Sequence, residues 1–168
     1  MAGDIRRLTE SDAPLLVEAT SAETGRSLWG HHPRGPYTLA DARAALRSWV
    51  RDTSYGVFDE DEDTLVAAVG LMPDGPGSAE LAYWVRPEAR GRGIAHDAVQ
   101  RVTDQAHRDG LTRLWLEINP TNTPSRKVAE RAGYTFEQRL PRHCRDWNHD
   151  DPNQDTWHDC LIWVHCVF

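Results

Sequence analysis

Residues 85–99 read VRPEARGRGIAHDAV. The apolar run LAYWV, residues 81–85, ends there, and Pro87 cannot donate to a continuing ladder. Three arginines, Arg86, Arg90 and Arg92, surround two glycines, Gly91 and Gly93. From Gly93 onward, Ala95, Ala98, Val99, Val102 and Ala106 recur at three- and four-residue steps, the spacing of one helix face. The joint therefore couples a strand end, a bared backbone and a helix start. A helix N-terminus leaves N–H groups unpaired and carries partial positive charge. Glycine lets an anion approach those groups without a Cβ in the way. Such a joint suits a phosphate or pyrophosphate; a glycine turn with solvated arginines is the plainer alternative. A Walker loop would need Gly-Lys-Ser/Thr, which is absent. A dinucleotide fingerprint would need a third glycine where His96 stands, and no βαβ unit precedes it.

Working outward, Ile5–Leu8 reads as a short strand. Thr9 with Asp12 three residues on reads as a capping pattern for a helix from about Asp12 to Ala22. Thr38 and Asp41 open a second helix through about Val50, after a loop at Gly25–Tyr37 rich in Gly, Pro and His. The period then changes to strands at Tyr55–Phe58, Thr64–Leu71 and Ala79–Val85, with a turn expected at Pro73–Gly77. After the long helix, which Gly110 stops, Leu111–Ile118 is a strand. Asn122 caps a short helix with Pro124 in its first turn and Gly133 at its end. Tyr134–Leu140 and Thr156–Val167 are the last strands, joined by a polar loop. The order β-α-α-β-β-β-α-β-α-β-β implies an α/β chain with one mixed sheet and helices on both faces.

The 168 residues suit one domain, 1–168, with 39% hydrophobic and 27% charged residues. No apolar run approaches the length of a membrane span, and MAGDIRRLTESD lacks the apolar core of a signal peptide, so a cytoplasmic protein is expected. Net charge −7 disfavours a nucleic-acid partner. Lys127 is the only lysine among 19 basic residues, a bias that suggests a GC-rich bacterial genome. The three cysteines, Cys144, Cys160 and Cys166, form no CxxC pair and are expected to be reduced. In HDCLIWVHC, residues 158–166, His and Cys are too diluted on each alternating face for a good metal site, so no metal is expected.

Arg90-Gly91-Arg92-Gly93-Ile94-Ala95 resembles the pyrophosphate loop of the GNAT acyltransferase superfamily, whose pattern is Arg or Gln, two residues, Gly, one residue, then Gly or Ala. IRRLTESDAPLL resembles the first strand and helix of such enzymes, AELAYWVRPEARGRGIAHDAV their central strand, loop and helix, and NPTNTPSRKVAERAGYTFE the motif in which Asn-x-x-Ser precedes a helix. The resemblance covers nearly the whole chain and points to the RimJ/RimL-like branch. It implies the GNAT fold: a mostly antiparallel mixed sheet with a V-shaped splay between the fourth and fifth strands. It also implies acetyl-CoA as co-substrate and transfer of its acetyl group to a primary amine by direct attack in a ternary complex. The amine is a peptide α-amine, a small metabolite or an amine-bearing antibiotic, and the protein a monomer or homodimer. A non-catalytic acyl-CoA sensor is the alternative, because Ala129 stands where many relatives carry a tyrosine that protonates the departing thiolate.

By the same resemblance, backbone groups of Trp84, Val85 and Arg86 hold the coenzyme arm, with the Val85 N–H as oxyanion donor. Arg90, Gly91, Arg92, Gly93, Ile94, Ala95 and His96 hold the pyrophosphate, and Asn122 and Ser125 touch the arm near its sulfur. Ser125 either stabilises the thiolate or bonds helix backbone; Arg126 either reaches the adenosine phosphates or is solvated. A base must take the ammonium proton of the acceptor. Glu80, opening the central strand, and Glu117, sharing a strand face with Trp115 and Asn119, are the candidates. Trp29, His31, His32 and Asp159 are candidate acceptor contacts, and Tyr134 is expected in the core.

Overall fold

The computed structural model describes residues 3–22, 36–49, 53–61, 63–146 and 151–168. Seven strands form one mixed sheet in the order β1-β2-β3-β4-β5-β7-β6. They are β1 (Ile5–Arg7), β2 (Thr53–Phe58), β3 (Leu65–Gly75), β4 (Ser78–Val85), β5 (Arg113–Ile118), β6 (Thr135–Asp146) and β7 (Thr156–Cys166). Four α-helices accompany them among the described residues: α1 (Ala13–Ala19), α2 (Leu39–Trp49), α3 (Ile94–Arg108) and α4 (Thr123–Arg131). The element order matches the expected one. Two compact units are distinguished: Met1–Met72 with Leu81–Val102, and Pro73–Glu80 with Thr103–Phe168.

In the first unit, β1 pairs antiparallel with β2 and β2 with β3. Leu16, Ala42, Leu46, Trp49, Phe58, Leu65 and Ala68 are buried in one cluster. The start of α1 is fixed by Asp12, whose carboxylate accepts from the Thr9 N–H at 2.8 Å and from both Arg6 guanidinium nitrogens at 2.8 and 3.0 Å. Burial alone would raise the Asp12 pKa, but the Arg6 and Thr9 hydrogen bonds outweigh it and hold the carboxyl below its usual range. Residues Glu10–Asp12 form a 3-10 turn rather than the first turn of α1. The helix also ends early, at Ala19, where the Thr20 hydroxyl bonds back to the Leu16 carbonyl at 2.9 Å. At α2, Thr38 and Asp41 exchange reciprocal bonds of 3.0 and 3.1 Å, the capping pattern expected from the sequence.

In the second unit, β4 begins parallel to β5, pairing Ser78 with Arg113, Ala79 with Leu114 and Glu80 with Trp115. β5 pairs antiparallel with β7, and β7 with β6. The turn expected at Pro73–Gly77 contracts to Pro76-Gly77, since β3 runs to Gly75 and β4 starts at Ser78. Gly77 takes φ 70°, the left-handed position that follows proline in a type II turn. Leu114, Leu116 and Ile118 are buried and alternate with Arg113, Trp115 and Glu117 as expected. β6 outruns its expected end at Leu140 by six residues, through a register irregularity between Leu140 and Cys144 where Arg142 takes φ 48°. No helix among the described residues is long and apolar enough to cross a membrane.

Candidate active site

β4 ends at Val85, and a 3-10 turn at Pro87–Ala89 leads into the glycine loop. The Arg86 N–H donates to the Val66 carbonyl at 2.9 Å. Successive strand N–H groups point to opposite edges, so the Val85 N–H points to the edge of β4 away from β3. Arg90 Nε donates to the Val85 carbonyl at 2.9 Å, tying the loop back to the strand end. The Arg86 side chain is drawn to Glu88 at 3.2 Å and Glu18 at 3.7 Å. Gly91 and Gly93 take φ 79° and 78°, and a Cβ placed on either meets no atom within 4 Å. Their backbone is thus bare and faces open space at the N-terminus of a 15-residue helix. This fits a diphosphate group, which a helix N-terminus and flanking Arg92 would attract.

The second unit holds both candidate bases. Glu80 is pushed up to about 7, first by burial and then by the negative charges of Glu117 and Asp74. Asp74 in turn accepts from the Trp115 indole N–H at 2.8 Å. Glu117 is also raised by burial, against the opposing pull of His143 and His158. Its Oε1 lies 2.6 Å from Cys144 Sγ and 3.7 Å from His143 Nε2. Sequence reasoning missed these two neighbours of Glu117, because it placed residues 143 and 144 in a polar loop.

Asn122 caps α4 by accepting the Ser125 N–H at 3.2 Å. Arg126 donates to the Pro120 carbonyl at 3.4 Å and is part-buried, not a solvated helix charge. Ala129 is fully buried. Tyr134 is core, as expected: its hydroxyl lies 2.7 Å from that of Thr103, and burial pushes its pKa up to about 12. Asp159, a candidate acceptor contact, lies 2.6 Å from Arg139 Nε and 2.9 Å from the Arg142 N–H. Trp29, His31 and His32 lie outside the described residues.

The cysteine expectation needs correction. Cys144 and Cys160 are joined in a disulfide, with Cα atoms 6.0 Å apart, whereas Cys166 is free and exposed. The extension of β6 is the reason, since it sets Cys144 opposite His158. The dilution argument weighed β7 alone; with β6 extended, Cys144, His158 and Cys160 come together across two strands.

The family model described as Acetyltransferase (GNAT) domain matches residues 4–135. None of the curated proteins matches the sequence. Solved structures share the fold. A ribosomal-protein-alanine acetyltransferase from Vibrio fischeri is similar at 19% identity and TM-score 0.79, over 96% of this chain and 91% of that one. RimL, a ribosomal-protein α-N-acetyltransferase in complex with coenzyme A, is similar at 18% identity and TM-score 0.77, over 97% and 93%. A chimeric spermidine N-acetyltransferase from Vibrio cholerae is similar at 16% identity and TM-score 0.76, over 97% and 94%.

Proposed function

We propose, for a chain that belongs to the GNAT acetyltransferase family, acetyl transfer from acetyl-CoA to a primary amine. The observation that carries this reading is the Gly91–Gly93 loop: two left-handed glycines with open space beyond them, ahead of a long helix. Coenzyme A complexed with the structurally similar RimL supports the same ligand. The family match over residues 4–135 supports reading 1–168 as one acetyltransferase domain.

Acetyl-CoA, when bound, supplies the acetyl group as an activated thioester. The backbone N–H groups around Gly91, Gly93 and Ile94, with Arg92, hold the diphosphate. The Val85 N–H, pointing away from β3, donates to the carbonyl oxygen as negative charge grows there. Ser125, at the start of α4, donates to the departing sulfur. Glu80 receives the proton of the acceptor ammonium. A carboxylate poised near 7 is part-ionised at neutral pH, which suits a general base. A primary amine is the acceptor class; peptide α-amines and polyamines are its two leading members, since relatives of this fold are named for each.

Two measurements test the reading. Binding at a hundredfold excess over Kd should stabilise the fold by about 2.7 kcal/mol, seen as a rise in Tm with acetyl-CoA concentration. A screen of amine acceptors should then release free coenzyme thiol with one class of amine. Absence of any thermal shift would remove the coenzyme; a shift without turnover on any amine would favour the acyl-CoA sensor instead.

A further inference from the structure

Cys144 on β6, with His158 and Cys160 on β7, brings two sulfurs and an imidazole nitrogen within 4.8 Å of one another. Cys144 and His158 are register partners, and Cys160 lies two residues along β7, on the same face by strand alternation. Cys160 is buried, and Cys144 and His158 are half-buried. Glu117, on the neighbouring β5, places Oε1 2.6 Å from Cys144 Sγ, and His143 approaches that oxygen from Nε2 at 3.7 Å. Five side chains from three adjacent strands thus converge, two of them sulfurs.

We propose that in the reduced chain Cys144, Cys160 and His158, with Glu117 as fourth donor, bind a divalent cation of the zinc class. Thiolate and imidazole donors select such borderline-soft ions over magnesium or calcium. Around zinc, with Zn–S near 2.3 Å and Zn–N near 2.0–2.1 Å, tetrahedral ligand atoms stand about 3.5–3.8 Å apart, inside the span of this group. Binding exchanges protons for the ion: two thiols and M²⁺ give a bis-thiolate complex and two H⁺, with no change of oxidation state. The disulfide is the oxidised counterpart of the same pair and excludes the ion, because neither sulfur is then a thiolate. Four protein donors close the coordination shell, so the ion ties β5, β6 and β7 together and does not supply a reactive water. Glu117 is engaged by this site and leaves proton abstraction to Glu80. The site stands independently of acetyl transfer.

The test uses the full chain, held in a phosphine reductant, stripped with chelator and titrated with cobalt(II). One equivalent should bind with a thiolate-to-cobalt charge-transfer band, which zinc(II) then displaces. Zinc should also protect two of the three thiols from alkylation. Cys144→Ser and Cys160→Ser should lose the band, and His158→Gln, which keeps both sulfurs and so the strand contacts, should weaken binding at least tenfold. Circular dichroism establishes that each variant is folded, and Gly93→Asp should bind cobalt like the parent, separating this site from the coenzyme. A folded, reduced parent with no charge-transfer band, a band that survives Cys144→Ser, or thiols alkylated equally fast with and without zinc would overturn the proposal.

Discussion

Arg90 donates from Nε to the carbonyl oxygen of Val85 at 2.9 Å. The residue that opens the glycine loop therefore also orients the peptide group at the strand end. A hydrogen bond from a charged group contributes about 1.5–3 kcal/mol. Arg90→Ala should raise the KM for acetyl-CoA and lower kcat together by about tenfold or more. Arg90→Lys, which keeps the charge but not the planar fork, should recover KM better than kcat. Steady-state kinetics on both variants checks the split.

Gly93→Asp sets a negative charge where the diphosphate should sit, at a φ of 78° that aspartate tolerates better than most residues. The fold should persist by circular dichroism. The acetyl-CoA-dependent rise in Tm should vanish. A variant that still shifts like the parent would take the loop out of the coenzyme site.

Ser125→Ala should lower kcat by about ten- to a hundredfold if the hydroxyl meets a departing thiolate, with Tm little changed because the Asn122 cap uses the Ser125 N–H. Unaltered turnover would make Ser125 a residue of the helix start alone.

Glu80 carries two pH signatures. As base, it should make the rate climb with pH through about 7, and Glu80→Gln should flatten that limb and lower turnover more than Glu117→Gln. Stability runs the other way. The native carboxyl is pushed up to about 7 from the usual value of 4.5, so between those pH values the folded state holds a proton that the unfolded chain has released. Stability should therefore fall as pH rises across that window and level off above it. Glu80→Gln should remove the fall and leave the protein more stable at neutral pH, measured by denaturant unfolding across the pH series.

Asp12 behaves in the opposite sense. Its carboxyl is held below the usual range, so the stabilisation from Arg6 and Thr9 is present above the ordinary aspartate pKa and is lost as pH falls through the folded value. Asp12→Asn should cost about 1–2 kcal/mol at neutral pH, tempered by solvent around half-exposed Arg6, and roughly 2–8 °C in Tm. It should also weaken the acid sensitivity of unfolding.

Elements with a strong period were legible in the residues. RLWLEI alternates, and its Leu114, Leu116 and Ile118 are the buried half. The spacing of Ala98, Val99, Val102 and Ala106 placed α3, and all four are buried. The far half of β6 was not legible, because PRHCRD offers a proline and charges where a strand pattern would alternate; its pairing to β7 and the Arg145–Asp155 ion pair hold it. That one omission hid the neighbours of Glu117 and the Cys144–Cys160 pair. The partners of Asp159 were hidden for a related reason: only the folded strands bring Arg139 and Arg142 to its carboxylate. The joint of strand end, glycines and helix start at residues 85–99 was readable because its signals are local. The preference for Glu80 over Glu117 drew on its place in the strand that also carries Val85; the burial and charges around each carboxylate show only in the fold.

β7 lies between β5 and β6 in the sheet although it follows both in the chain. β6 consequently has β7 as its one neighbour in the sheet and reaches β5 only through it. Whatever loosens β7 therefore releases β6 as well, whereas β5 keeps its own pairing to Ser78, Ala79 and Glu80 of β4.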